Sequence, residues 1–342
     1  MFTGLIDKLQ RRQDLTVEEA AAAMETIMDG RAQPSQIAAL LIGLAMKGER
    51  PAEIVGFARV MRERATALPA QVPDVFDTCG TGGDRSGTFN VSTVTALVLA
   101  GCGLRVAKHG NRSASSRCGS ADLFEALGVR IAAPPVVAHR CLEHAHIAFL
   151  FAQTFHPSMK HVAQTRHELG VRTAFNLLGP LTNPAGAARQ LVGVPRPELT
   201  ELVARSLAIL GAERAWVVHG ADGLDEISTT GYTKVSECRN GAVNTFYLHP
   251  SDVGLPRASA AALRGGDVAD NVRIARRILE GEGGAPRDIV LFNAAASLLI
   301  AGRTSSMADG MTAAAGALDS GAAASALDAL VAESNAGEAA TA

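Results

Sequence analysis

The feature that most constrains the fold of this chain is a glycine-rich segment between a predicted strand and a predicted helix. The segment runs from Asp77 to Thr93, after the apolar run 72–76 and before the apolar run 94–100. Glycines let the backbone approach a ligand closely, and successive N–H groups of such a loop can point inward together. The start of the following helix adds unpaired donors and partial positive charge. The segment therefore indicates an α/β fold that binds a phosphate or diphosphate at this loop.

Two common phosphate-binding motifs do not match this segment. A P-loop requires Lys and then Ser or Thr after its last glycine, whereas Gly83 is followed by Asp84. The dinucleotide pattern G-x-G-x-x-G fails because its final position holds Arg85. Since Asp84 would repel a bare anion, we expect a ligand that also carries hydroxyl groups or a metal ion. The alternative is a glycine-rich turn without a ligand, which needs fewer glycines and hydroxyl residues than this segment contains.

Helix and strand signals divide the 342 residues into two parts, and a chain of this length can form two domains. Residues 1–66 are predicted to be helical, with a capping box at Thr16 and helix starts at Pro34 and Pro51. From residue 72 on, β-type runs alternate with helical ones, which predicts a mostly parallel sheet surrounded by helices. The expected strands are 75–76, 104–107, 147–151, 191–194, 215–219, 233–238 and 242–248, and the later helices are 198–210, 268–280, 287–302 and 305–332. The last two strands flank Asn240-Gly241, a hairpin signal. We predict a small helical domain (1–66), a larger α/β domain (72–164 and 186–332) and a frayed tail (333–342).

Composition excludes several classes of function. A net charge of −2 and an aromatic content of 4% argue against a nucleic-acid binder. No apolar run approaches the roughly 20 residues that span a bilayer. The five cysteines are scattered and form no C-x-x-C pair, which is typical of reduced thiols. We therefore expect a cytoplasmic globular protein.

A second polar cluster follows the predicted strand 104–107. Lys108 provides a point charge for a phosphate, and His109 and Asn111 can hydrogen-bond a second, organic substrate. Ser120 lies at the start of the next predicted helix, where the same donors favour an anion. A solvated basic loop with an ordinary helix cap is the alternative for this cluster taken alone.

Two further polar segments could serve a ligand. A helix is predicted to begin within residues 155–166. Arg166 in this segment is suited to a substrate carboxylate because its planar guanidinium binds both oxygens, whereas Lys160 is expected on the solvated surface of the helix. Asp225 and Glu226 are adjacent carboxylates in a loop after another predicted strand. Mg²⁺ typically takes one or two carboxylates together with substrate phosphates, so this pair is a candidate metal site. A simple turn at Asp222-Gly223 is the alternative.

Taken together, these motifs form an ordered set along the chain. The set comprises Gly80-Thr81-Gly82-Gly83-Asp84, Asn90-Val91-Ser92-Thr93, Lys108-His109-Gly110-Asn111-Arg112, Arg166, the run from Phe175 to Pro184, and Asp225-Glu226. In order and spacing it resembles the anthranilate phosphoribosyltransferase family, from the N-terminal helices to about residue 330. No single motif has this specificity; the combination does.

The resemblance implies a role for each residue of the set. The residues that would bind 5-phosphoribosyl 1-pyrophosphate are Gly80, Thr81, Gly82, Gly83, Asp84, Thr88, Asn90, Ser92, Thr93, Lys108, Asn111 and Ser120. Those that would bind anthranilate are Gly80, His109, Asn111 and Arg166. Ser92, Asp225 and Glu226 would bind Mg²⁺, with two ions per monomer. No serine or cysteine nucleophile and no strong general base is required, and Lys108 together with Mg²⁺ would stabilise the transition state.

The resemblance also implies an architecture and a reaction. The small helical domain would be completed by residues 165–185, and a homodimer would form through the small domains. The reaction would transfer the phosphoribosyl group to the amine of anthranilate, with release of pyrophosphate, in tryptophan biosynthesis. Gln153-Thr154 and Gln164-Thr165 depart from the family pattern, where proline-containing pairs are expected, and bear on the access path of the second substrate.

Two other functions remain alternatives. A nucleoside phosphorylase of similar architecture would bind free phosphate and a nucleobase instead of a diphosphate and Mg²⁺. A nucleotide or nucleic-acid binder without catalytic activity is the second alternative, and the balanced charge and low aromatic content argue against it.

Overall fold

The structure is a computed structural model that describes residues 1–84, 86–113 and 117–337. The strands are β1 (Phe76–Gly80), β2 (Val106–Gly110), β3 (Ile147–Phe151), β4 (Arg189–Gly193), β5 (Arg214–Gly220), β6 (Thr233–Arg239) and β7 (Ala242–Leu248). The helices are α1 (Phe2–Gln10), α2 (Val17–Met28), α3 (Pro34–Lys47), α4 (Pro51–Glu63), α5 (Val91–Gly101), α6 (Ser120–Ala126), α7 (Pro135–His144), α8 (Ala152–Phe155), α9 (Lys160–Leu169), α10 (Phe175–Leu178), α11 (Leu199–Ile209), α12 (Val268–Leu279), α13 (Ala285–Ile300), α14 (Met307–Asp319) and α15 (Ala322–Asn335). None of the helices in these ranges is long and apolar enough to cross a membrane.

A single sheet of seven strands, in the order β3-β2-β1-β4-β5-β6-β7, organises the larger part of the chain. Strands β1 to β5 run parallel to one another, whereas β6 pairs antiparallel with β5 and β7. The predicted hairpin is confirmed, because Arg239 pairs with Ala242 and only Asn240 and Gly241 lie between them. Both turn residues have positive φ, 51° and 79°, as a two-residue hairpin turn requires.

The N-terminal helices begin where local chemistry places them. The Thr16 hydroxyl accepts from the Glu19 N–H (3.2 Å), and the Glu19 carboxylate accepts from the Thr16 N–H (3.0 Å). Proline occupies the first position of α3 and of α4, where its missing N–H costs no helical hydrogen bond. The sequence prediction of a helical N-terminal part is confirmed.

Two apolar clusters lie on opposite faces of the sheet. Alternate residues of a strand point to opposite faces, so Trp216 packs with one cluster and Val217 with the other. The first cluster includes residues of α5, α13, α14 and α15. The second joins the N-terminal helices to α11 and to residues 174–181. This second cluster contains residues of the N-terminal helices and of the sheet, so it does not separate the two predicted domains. The domain boundaries at 66, 165 and 185 therefore stay a prediction.

Several predicted boundaries were wrong. Strands β1 and β2 extend to Gly80 and Gly110, so Asp77 and Lys108 lie inside the sheet and not in loops. The single helix expected at 305–332 is two helices, separated at Ser320 and Gly321, where Gly321 has a φ of 76°. The tail does not begin at residue 333, because α15 continues to Asn335. Arg140 anchors this end by donating to the backbone carbonyl oxygen of Glu333 (2.8 Å). Residues 338–342 lie outside the described part.

Candidate active site

The site lies where the connections leave the carboxyl ends of the parallel strands. The chain adds β2 and β3 on one side of β1 and then places β4 on its other side, so β1 and β4 form a switch point. Open α/β sheets bind ligands in the crevice at such points. Gly80 and Gly193 end these two strands and are paired with each other in the sheet.

These two glycines leave space for the loop at residues 221–232 between β5 and β6, here called the acidic loop. A Cβ on Gly80 would lie 2.7 Å from Oδ2 of Asp225, and a Cβ on Gly193 would lie 1.6 Å from the Asp225 carbonyl oxygen. Any larger residue would therefore displace the acidic loop. Because neither glycine has a side chain, Asp225 can lie directly against the switch point.

The first half of the glycine-rich loop closes over the same point. The Thr81 N–H donates to the Gly193 carbonyl (2.9 Å), and the chain then turns through Gly82 and Gly83 with φ of 62° and 83°. The N–H of Gly82 lies near the Asp225 carboxyl group and opposes the rise of its pKa. Asp84 lies close enough for its charge to act on Asp225. The predicted glycine loop and the predicted metal pair are therefore in direct contact.

The second half of the loop is held by a segment that sequence reasoning did not identify. Thr88 forms an antiparallel bridge with Arg264, and the Gly265 N–H donates to the Gly87 carbonyl (2.9 Å). Gly265 must be glycine, because a Cβ there would lie 2.8 Å from a backbone atom of the loop. The Asn90 N–H donates to Oδ1 of the buried Asn271 (3.0 Å). The adjacent glycines 265 and 266 were the available sequence signal for this close approach.

Lys108 connects the glycine-rich loop to the sheet. Its buried ammonium donates to the Thr78 carbonyl (2.5 Å) and to the Ser92 hydroxyl (3.2 Å). Burial lowers the pKa of Lys108, and the negative charge of Asp77 on the adjacent strand opposes this effect. The structure thus places a positive charge beside the first turn of α5, which contains Ser92 and Thr93.

Asp225 and Glu226 form a pair of carboxylates in a poorly solvated position. Burial raises the pKa of Asp225 to about 7, and the charge of Asp84 contributes. Burial raises the pKa of Glu226 to about 8, and the charge of Asp225 contributes. The Ser92 N–H donates to Oε1 of Glu226 (3.0 Å), which brings all three predicted metal-binding residues together.

The donor set fits Mg²⁺ that is shared with a substrate. No group of three or more His, Cys, Asp or Glu side chains arranged for a metal ion occurs among the described residues. Two carboxylates beside a hydroxyl nevertheless match the way Mg²⁺ binds, with substrate phosphates and waters completing the shell. A divalent cation would also offset the cost of ionising these two carboxylates, whose pKa values are raised mainly by burial.

A histidine pair lies on the other side of β2. The His109 ring stands 5.1 Å from the His156 ring, and Nδ1 of His109 contacts the Gly179 carbonyl at 3.0 Å. The Nε2 atoms of both histidines are buried and have no hydrogen-bond partner. Burial lowers the pKa of His109 to about 3 and also lowers the pKa of His156, so both rings are neutral. Two neutral rings with free nitrogens can bind a polar organic ligand.

The remaining predicted ligand residues differ in their burial and in their hydrogen-bond partners. Arg166 lies over the Phe175 ring, 5.3 Å from its centre, and burial lowers the pKa of Arg166. Asn111 is exposed, and its side-chain oxygen accepts from the Arg112 N–H (2.8 Å). The Ser120 hydroxyl donates to the Asn111 carbonyl (3.4 Å). Thr81 and Thr93 have buried hydroxyl groups without a partner.

The second predicted anion site is less open than the sequence indicated. Helix α6, which begins at Ser120, has seven residues. The Asp122 carboxylate already accepts from the N–H groups of Gly119 (2.9 Å) and Ser113 (3.2 Å). The Asp122 carboxylate therefore already occupies two backbone donors near this helix start.

Arg172 and Asn183 were also missed as parts of the site. The Arg172 guanidinium donates to the carbonyl oxygens of Gly82 (2.7 Å) and Thr81 (3.3 Å). Asn183 donates to the buried carboxylate of Asp77 (2.7 Å), which also accepts from the His109 N–H (3.3 Å). Burial raises the pKa of Asp77 to about 6. Arg172 follows Arg166 closely in sequence, but nothing local predicts its contact with the glycine-rich loop.

Comparison with known proteins assigns both parts of the chain to one group of enzymes. Residues 3–65 match the glycosyl transferase family, helical bundle domain, and residues 72–324 match the glycosyl transferase family, a/b domain. Anthranilate phosphoribosyltransferase of Moorella thermoacetica is 54% identical over 332 residues, which is 97% of this chain and 98% of the relative.

Solved structures agree with this similarity. The crystal structure of anthranilate phosphoribosyltransferase from Thermus thermophilus has a TM-score of 0.91 at 46% identity, covering 97% of this chain and 99% of that one. The enzyme from Saccharomyces cerevisiae in complex with PRPP and Mg has a TM-score of 0.89 at 26% identity, with 97% of each chain covered. The same yeast enzyme in complex with 4-fluoroanthranilate has a TM-score of 0.86 at 25% identity, with 98% of each chain covered.

Proposed function

This chain belongs to the anthranilate phosphoribosyltransferase family, and we propose that it transfers the phosphoribosyl group of 5-phosphoribosyl 1-pyrophosphate to the amine of anthranilate. Pyrophosphate is released, and the product serves tryptophan biosynthesis. The observation that carries the proposal is the contact of the glycine-rich loop with Asp225 at the switch point between β1 and β4. That contact puts diphosphate-binding amides and a metal-binding carboxylate in one place.

The sugar diphosphate is held by backbone and side-chain donors of the loop. The N–H groups of Gly83 and Asp84 and the first turn of α5 bind the diphosphate, and Lys108 adds positive charge beside it. Asp225, Glu226 and Ser92 hold Mg²⁺, with two ions per monomer. When bound, Mg²⁺ neutralises charge that develops on the departing pyrophosphate.

The second substrate lies against the histidine pair. Arg166 binds the carboxylate of anthranilate, and the neutral rings of His109 and His156 offer hydrogen-bond partners to it. The amine lone pair forms the new bond to the C1 atom of ribose while the bond from C1 to the pyrophosphate oxygen breaks and its electron pair leaves with pyrophosphate. The nitrogen then loses a proton to water. The free arylamine is already a nucleophile, so the reaction depends mainly on alignment of the two substrates.

Assembly and location follow as part of the same proposal. A homodimer formed through the small helical parts of two copies belongs to the proposal, and Met46 on α3, which exposes 76% of its surface, is the residue substituted to test it. All five cysteines are free thiols in the structure, which suits a reducing cytoplasm. Sedimentation of the protein with and without Met46→Lys tests the first point.

The decisive experiment follows the loss of anthranilate fluorescence with the sugar diphosphate and Mg²⁺ present. We expect turnover that requires all three components. Absence of turnover, with phosphorolysis of a nucleoside in its place, would reverse the proposal in favour of a nucleoside phosphorylase. The similarity to transferases over nearly the full chain does not favour that alternative.

A further inference from the structure

Asp222 closes the acidic loop from within. One carboxylate oxygen accepts from the Leu224 N–H (3.2 Å), directly before Asp225. The other accepts from the hydroxyl groups of Ser228 (2.8 Å) and Thr230 (2.5 Å). Asp222 thereby joins the start of the loop to its end, with the metal-binding pair between.

Asn293 holds the loop from outside, on the other side of the pair. This fully buried side chain on α13 accepts from the Ile227 N–H (3.0 Å) and donates to the Ile227 carbonyl (2.9 Å). It also donates to the Ile289 carbonyl of its own helix (2.8 Å). The amide thus pairs with Ile227 as a strand neighbour would, and connects the loop to the core of the fold.

We propose that Asp222 and Asn293 are positioning residues that preorganise Asp225 and Glu226 for metal binding. The backbone is hydrogen-bonded on both sides of the pair, at Leu224 and at Ile227, so the segment that carries both carboxylates is held in place. Holding them together before the metal arrives lowers the cost of binding.

This inference rests on the proposed function, since it concerns the same metal site. Neither Asp222 nor Asn293 has a hydrogen bond or ion pair with the predicted substrate-binding residues among the contacts of the described chain. Their effect must therefore pass through the backbone of the acidic loop. Loss of such indirect partners typically weakens metal binding by about tenfold to a hundredfold.

The test measures metal binding directly. Mn²⁺ is titrated into the full-length protein with inorganic pyrophosphate present, and free Mn²⁺ is followed by electron paramagnetic resonance. Asp222→Asn keeps the shape of the side chain but removes the charge that both hydroxyl groups share. We expect its dissociation constant for Mn²⁺ to rise about tenfold. In turnover assays, the Mg²⁺ concentration for half-maximal rate rises similarly, and saturating Mg²⁺ restores most of the rate.

Asp309→Asn is the matched control. Asp309 lies on α14 and also accepts from a serine hydroxyl, that of Ser305 (2.7 Å), but it is outside the acidic loop. Its substitution should leave Mn²⁺ binding unchanged. Asn293→Ala should weaken binding as Asp222→Asn does, and its melting temperature reports any loss of folding separately.

The outcomes separate the inference from the proposed function. If the unsubstituted protein does not bind Mn²⁺ with pyrophosphate, the metal site itself is wrong and the function falls with it. If that protein binds Mn²⁺ and Asp222→Asn binds it equally tightly, the positioning role is wrong while the function stands.

Discussion

Replacing Gly193 with alanine tests whether the site depends on close approach of the acidic loop to strand β4. The new Cβ would lie 1.6 Å from the Asp225 carbonyl oxygen and 2.5 Å from its carbonyl carbon. Both are backbone atoms, so no flexible side chain can move aside. Strand β4 is paired on both edges, with β1 and β5, and therefore resists displacement. The acidic loop has to move instead.

The size of the effect follows from that movement. Cβ contacts below 3.0 Å are essentially never found, so Asp225 must shift by about 1.4 Å or more. A misplacement of about 1 Å in a catalytic site can cost about a hundredfold in rate. We expect kcat/KM to fall at least about a hundredfold, which corresponds to about 2.7 kcal/mol of transition-state stabilisation. Overpacking should also lower the free energy of unfolding by about 1–3 kcal/mol.

The assay compares this variant with Gly316→Ala, another glycine-to-alanine change. Gly316 is exposed in the interior of α14, and a Cβ there meets nothing within 4 Å. Alanine should stabilise that helix by up to about 1 kcal/mol and leave activity unchanged. Anthranilate fluorescence gives kcat/KM, and thermal unfolding gives stability. A Gly193→Ala protein with the activity of the unsubstituted chain would refute the assignment of Asp225 to the site.

Four further predictions test other parts of the site. Arg166→Ala should raise the KM for anthranilate far more than the KM for the sugar diphosphate, and equal increases in steady-state titrations would contradict its role. Burial raises the pKa of Asp225 to about 7 and that of Glu226 to about 8. Below these pH values, protons compete with the metal ion for the two carboxylates. Affinity for Mn²⁺ with pyrophosphate should therefore be weaker at pH 6 than at pH 8.5. Since burial raises both carboxyl pKa values above those of the unfolded chain, the metal-free protein should lose stability as pH rises from about 4 to about 8, and Asp225→Asn with Glu226→Gln should abolish that loss in thermal unfolding. Asn271→Ala removes the acceptor of the Asn90 N–H and should raise the KM for the sugar diphosphate several-fold without changing the KM for anthranilate; unchanged kinetics would show that this contact is dispensable.

Local sequence signals predicted elements well where the causes are local. The capping box at Thr16 and the prolines at the starts of α3 and α4 act within one helical turn, so their effects need no distant partner. The Asn240-Gly241 turn acts in the same way between β6 and β7. Each of these features could be predicted because the interacting groups are close in sequence.

Strand ends were predicted less well because hydrophobic pattern alone marks them poorly. Asp77 and Lys108 were expected in loops, yet both are buried inside the sheet on adjacent strands. Their opposite charges interact there, which offsets part of the cost of burial. A charged residue therefore ended the predicted strand, although the real strand continued past it.

The sequence by itself determined the α/β class, the helical N-terminal part and the chemistry available at each motif, because periodicity, caps and turn residues act over a few residues. Only the tertiary structure decided that Gly193 leaves space for Asp225, that Asn271 holds the loop at Asn90, and that Asn293 supports Ile227. Each of these contacts joins residues that are far apart in the sequence and lie in different segments around the same sheet. Strand order and packing create them, and no local signal in the chain encodes which distant partner will be reached.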